Sequence, residues 1–98
     1  MFRHVVMFWW KPGVSDAQIA AVSTGLASLP GQIGEIQRYE HGSDLGVGGD
    51  NADYVLLADF KNFDEWHIYA THEAHVEVLE TSIRPILERI ERIQYDVT

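Results

Sequence analysis

The chain contains no cysteine, so disulfides and thiolate chemistry are excluded at once. Basic residues are scarce. Seven Lys and Arg stand against 15 Asp and Glu, a formal net charge of −8 that repels phosphate backbones and argues against a nucleic-acid partner. The seven (Arg3, Lys11, Arg38, Lys61, Arg84, Arg89 and Arg92) are scattered and form no surface for anionic lipid. Long apolar runs are also missing. The Met1–Trp10 segment is far shorter than the roughly 20 residues needed to cross a bilayer and is closed by Lys11, so it reads as a strand of a cytoplasmic protein with no membrane partner. No serine sits in a nucleophile elbow and no paired acids stand out. Gly42, Gly46, Gly48 and Gly49 have neither dinucleotide spacing nor the Lys-Ser/Thr ending of a phosphate loop. His72-Glu-Ala-His75 resembles a metalloprotease helix, but the zinc motif needs its second histidine one residue later, where Val76 stands. Neither a metal nor a cofactor is expected.

What is present fits one domain spanning residues 1–98, with 46% hydrophobic content. Phe2 to Trp10 is apolar on both alternating faces, with His4, Val6, Phe8 and Trp10 on one side and Val5, Met7 and Trp9 on the other, as in a central strand. Pro12-Gly13 breaks the chain, and Ser15 to Gln18 has capping-box spacing for a helix that carries Ile19, Val22, Leu26 and Leu29 inward and stops at Pro30-Gly31. Ile33 to Gly42 is expected as an edge strand, Gly42 to Asn51 as a mobile loop, and Asp53 to Phe60 as a second central strand. Asn62 to Glu65 opens a short helix with Phe63, Trp66 and Ala70 inward. After a break near Thr71-His72, a second helical segment runs to about Ser82 on a Val76, Leu79, Ile83 stripe, with Pro85 bending or ending it. Arg89 to Val97 alternates apolar Ile93, Tyr95 and Val97 against polar Arg92, Gln94 and Asp96 and closes as a half-buried edge strand, apolar row inward.

The order βαββαβ predicts an α+β, ferredoxin-like antiparallel sheet with both helices on one face. Large apolar side chains on the bare face of the central strands then call for a second copy, a homodimer.

The chemistry concentrates in Tyr69-Ala-Thr-His72-Glu-Ala-His75. At helical spacing His75 lies about 60° from the centre of the apolar stripe and His72 close to it, so both rings face inward or along a cleft edge. A neutral imidazole kept so by burial can accept a proton from a weakly acidic C–H or O–H. Either ring could play that part, Tyr69 could hydrogen-bond a carbonyl or orient a base, and His4 could reach the same cavity from the strand floor. His72 also stands where an N-cap would be, and inward histidines often only bond backbone. His41 and His67 read as surface or rim residues.

Several segments resemble the stress-responsive α/β-barrel (Dabb) family over nearly the whole chain. They are His4-Val-Val-Met-Phe, Lys11-Pro-Gly, Leu29-Pro-Gly-Gln-Ile, Tyr39 to Leu45, Asp53-Tyr54 and Tyr69 to His75, with Glu73 where the family usually has proline. The resemblance implies a protomer that dimerises sheet to sheet into an α+β barrel, with a pocket between each sheet and its own helices. One branch, similar in these motifs, is a plant polyketide (olivetolic acid) cyclase. From it His75 would be the base of an intramolecular aldol condensation, Tyr69 its helper and His4 a pocket-lining polar group. A further pocket tyrosine of that cyclase falls near Leu26. The wider superfamily holds cofactor-free monooxygenases and haem-degrading enzymes, which Trp66 and His75 superficially resemble. Three functions follow as expectations. The first is a dimer binding a small, largely apolar carbonyl or polyketide-like ligand beside His4, His72, Trp66 and Leu26, with cyclase- or lyase-like proton abstraction if there is turnover. The second is a non-catalytic structural or stress dimer, and the third a monooxygenase of the superfamily.

Overall fold

A computed structural model describes all 98 residues. Strand β1 (Phe2–Trp10) leads into helix α1 (Asp16–Ala27), whose capping box forms as its spacing requires. The Ser15 side chain accepts from the Gln18 backbone N–H, and the Gln18 side chain returns the bond to the Ser15 backbone. Strands β2 (Arg38–Ser43) and β3 (Tyr54–Phe60) follow, then helices α2 (Phe63–Thr71) and α3 (Glu73–Val78). A π-helical turn over Leu79–Ile83 and a 3-10 turn over Arg84–Ile86, with Pro85 inside it, complete the second helical layer before β4 (Leu87–Asp96). The sheet order is β2-β3-β1-β4, antiparallel throughout, with β1 and β3 central. This is the ferredoxin-like arrangement that the alternation of the strands predicted.

The core lies between sheet and helices. Val6, Phe8 and Trp10 from β1 and Tyr54, Leu56, Ala58 and Phe60 from β3 meet Val22 and Leu26 of α1, Tyr69 of α2 and Val78 and Ile83 of the second layer. The opposite face of the sheet is open. Val5 pairs between Leu57 and Ile93, Met7 between Val55 and Glu91, and Met7, Val55 and Ile93 are 41%, 42% and 59% exposed. One end of that face is closed by an ion pair across the central strands, where Arg3 holds Asp59 through two bonds of 2.7 and 2.8 Å.

Four local expectations need correction. Residues 33–37 do not extend β2. Backbone bonds from Gln32 and Ile33 to the Leu29 carbonyl and from Ile36 to Ile33 coil residues 32–36 into turns, Gln37 donates to the Asp59 carbonyl just before β2 begins, and Ile33 plugs the core instead. Val76 faces solvent and Val78 takes its place inside, beside Ile83 five residues on. On an α-helix that spacing would set the two about 140° apart, and the wider π turn reunites them. Phe63 is exposed, whereas Tyr69 is the fully buried residue of α2. In β4, Ile93 and Tyr95 stand on the bare face, and the row turned towards the helices is Ile90, Arg92 and Gln94, opposite Phe8, Val6 and His4.

Candidate functional site

A cavity of about 220 Å³ opens between sheet and helices, and ten of its thirteen lining residues are hydrophobic. The floor is His4, Val6 and Phe8 of β1, Leu56 of β3, and Ile90 and Arg92 of β4. Leu26 of α1, Trp66, Tyr69 and Ala70 of α2, His75 of α3, and Leu79 and Ile83 of the π turn form the walls and roof. Five of the six sequence-selected residues therefore share one hollow. His72 does not. It ends α2 and starts α3 with extended backbone, and its Nδ1 accepts from the Ala74 N–H at 3.0 Å, an N-cap on a separate shallow surface with Gln32 and Glu77.

Hydrogen bonding fixes the state of both cavity histidines. The His75 Nδ1 lies 3.0 Å from the Ala70 carbonyl oxygen. A carbonyl only accepts, so Nδ1 carries the proton and Nε2 keeps a bare lone pair. The His4 ring is bonded the other way, since the Gln94 side-chain amide donates to its Nδ1 at 2.8 Å and leaves the proton on Nε2. One imidazole thus offers an acceptor and the other a donor. Burial pushes the His4 imidazole down to about 4, helped by the His75 ring in its protonated form and by the Arg92 guanidinium. Burial also lowers His75, outweighing the Ala70 carbonyl that favours its protonated form, with a smaller push from His72. Both rings are neutral near pH 7.

Tyr69 braces this arrangement. Its ring packs on His75 with centroids 4.2 Å apart, and its hydroxyl meets that of Tyr39 at 2.8 Å. Burial raises its phenol to about 12 and raises Tyr39 as well, so both stay protonated. His4 packs beside Trp66 with centroids 5.7 Å apart, and the Trp66 indole N–H is buried with no acceptor. An unpaired buried donor costs about 1–3 kcal/mol until something accepts from it. Elsewhere, His41 is half-buried rather than a bare surface residue. Its Nδ1 meets the Tyr54 hydroxyl at 2.9 Å, and that hydroxyl also bonds Ser23 at 2.8 Å. His67 is exposed. No three His, Asp or Glu side chains gather as a metal site would need, and no helix is long and apolar enough to cross a membrane.

Sequence reasoning missed Tyr39, Arg92 and Gln94. Tyr39 was legible only as an alternating residue of an edge strand. Arg92 and Gln94 alternate against Ile93 and Tyr95, and polarity alone assigned them to solvent, although their register opposite Val6 and His4 puts them on the cavity side.

A family model for the stress responsive A/B barrel domain matches residues 2–98. A dimeric ferredoxin-like protein of unknown function from Thermobifida fusca superposes with a TM-score of 0.91 at 32% identity, over 98% of this chain and 90% of that one. A dimeric protein of unknown function from Bacteroides fragilis gives 0.87 at 23%, over 98% and 95%. A hydroxynitrile lyase from Passiflora edulis gives 0.85 at 20%, over 99% and 93%, and these last two speak for the fold alone. No curated protein matches the chain.

Proposed function

The chain belongs to the stress responsive A/B barrel domain family, and from that premise we propose a homodimer whose protomers each bind a small, largely apolar carbonyl compound under their helices, with His75 as a general base. The observation that carries the reading is the His75–Ala70 bond. It commits Nδ1 as donor and leaves an unprotonated Nε2 on a ring that lines an apolar cavity. Such a lone pair takes a proton from a carbon beside a carbonyl, and the electron pair left behind moves to the carbonyl oxygen. His4 Nε2–H and the unpaired Trp66 N–H are donors suited to that oxygen as it gains charge. Tyr69 holds the base in place through ring contact, its own hydroxyl being engaged by Tyr39. The pair of neutral histidines, one bare and one protonated at Nε2, suits cyclase- or lyase-like chemistry in which a proton leaves one atom as charge gathers on another.

Dimerisation is supported by the open face. Val5, Met7, Val55, Leu57 and Ile93 present a contiguous apolar surface larger than isolated greasy residues would form. The Thermobifida fusca relative, similar over nearly the full length, is itself described as dimeric.

The test is exchange of the α-protons of octan-2-one in D2O, followed by NMR. Exchange above buffer is expected with the native protein and should fall to background in His75→Gln, with dimer and circular dichroism unchanged. Background exchange with the native protein, or full exchange with His75→Gln, would remove the base. Binding of the ketone without exchange would leave a ligand-binding dimer.

A further inference from the structure

Four of the five arginines have a carboxylate partner. Arg3 is held by Asp59, Arg38 by Glu40, Arg84 by Glu80 and Arg89 by Glu91. Arg92 is the fifth and has none, in a chain with 15 acidic residues available. It is also the arginine that lines the cavity, where it sits opposite Val6 on the floor. No Asp or Glu is among the lining residues, so the hollow carries one formal positive charge inside a protein of net charge −8. Apart from the His75 Nε2 lone pair, its polar groups lean the same way, since the buried indole N–H of Trp66 has no acceptor and the His4 ring carries its proton on Nε2. A cavity with one acceptor at His75, several donors and a cation without a carboxylate asks for an anionic, oxygen-bearing guest.

We propose that the occupant is a monocarboxylate, with the carboxylate held by the Arg92 guanidinium at the mouth and the apolar body against Val6, Phe8, Leu79 and Ile83. This rests on the cavity being a ligand site, as proposed above, and adds the charge class of the ligand. One guanidinium presents a planar fork that fits the two oxygens of a carboxylate, whereas a phosphate monoester brings nearly two charges to one cation. The general field of the protein repels anions, so a carboxylate would be drawn here only by a local cation left free for it.

The experiment uses probes of equal chain length, octanoate, octan-1-ol, octylammonium and octyl phosphate, titrated into the native protein and into Arg92→Gln at pH 7.5 by calorimetry. Octanoate should bind the native protein about tenfold more tightly than octan-1-ol, in keeping with one charge-assisted hydrogen-bonded contact. Octylammonium should be the weakest. Arg92 is exposed, so Arg92→Gln should fold normally. It should bring octanoate down to the level of octan-1-ol and leave octan-1-ol unchanged. Equal binding of octanoate and octan-1-ol, an equal loss of both in Arg92→Gln, or tighter binding of octyl phosphate would overturn the carboxylate while the ligand cavity stands. If no probe binds the native protein, cavity and charge class fall together.

Discussion

Acid should weaken this protein well before its carboxylates titrate, and His4 sets the size of the effect. The residue is 6% exposed, its ring accepts from Gln94 through Nδ1, and its pKa is pushed down to about 4 by burial, by the protonated form of His75 and by Arg92. In the unfolded chain the same imidazole titrates near 6.5. Between these values the unfolded state binds a proton that the folded state refuses. The stabilisation is therefore whole above pH 6.5 and declines as the pH drops towards 4. Integrating that difference from pH 7 to pH 5 gives a loss of about 2 kcal/mol from His4 alone. His75, also lowered by burial, acts with the same sign. Asp59 works in a lower window. Arg3 holds its carboxyl below the ordinary range, so its contribution is present above the unfolded carboxylate value and lost only as the pH falls below that. Urea unfolding at pH 7 and pH 5, read by tryptophan fluorescence at one protein concentration, measures the loss, and His4→Gln removes the titrating ring. The native protein should lose about 2 kcal/mol more than the variant between the two pH values, a midpoint difference of roughly 1 M urea at an ordinary slope. Parallel losses in the two proteins would refute a neutral buried His4.

Three further outcomes can be checked. Tyr39→Phe should cost about 1–3 kcal/mol by stranding the buried Tyr69 hydroxyl. The double variant with Tyr69→Phe should cost less than the sum of the two single changes in chemical denaturation. Gly25→Leu should destabilise by about 1–3 kcal/mol, because even a Cβ there would lie 3.0 Å from a Val78 methyl, and adding Val78→Ala should recover part of the loss in thermal melts. Met7→Asp, on the open face, should convert a dimer to monomers in sedimentation velocity without changing the circular dichroism of the protomer.

The strand pattern was readable because the two middle strands are greasy on both sides, and that fixed the order of the sheet and the bare face. Ser15 and Gln18 gave the start of α1 for the same local reason that they form it, two side chains closing on two backbone N–H groups. The second helical layer was harder. A 3.6-residue period chose Val76 over Val78, and a π turn that widens one stretch of helix leaves no mark on hydrophobic spacing. In the cavity, His4, Leu26, Trp66, Tyr69 and His75 could be named from the chain because each lies near a core position. Which nitrogen of each histidine carries the proton depends on Ala70 and Gln94, partners fixed only once helix and sheet are in place. Arg92 escaped notice because a charged residue on an edge strand ordinarily points to water.

The Arg3–Asp59 pair has a consequence for assembly of the chain. The two residues stand directly opposite each other on β1 and β3, joined by both oxygens and two guanidinium nitrogens. Sliding β1 by a single position would turn His4 and its greasy neighbours to the outside and carry Arg3 into the interior, away from Asp59. Sliding by two would restore the inside and outside but pull the salt link apart. The fork and its carboxylate thus act as an index pin between the middle strands. It ensures that the hollow is always built from the same rows of side chains.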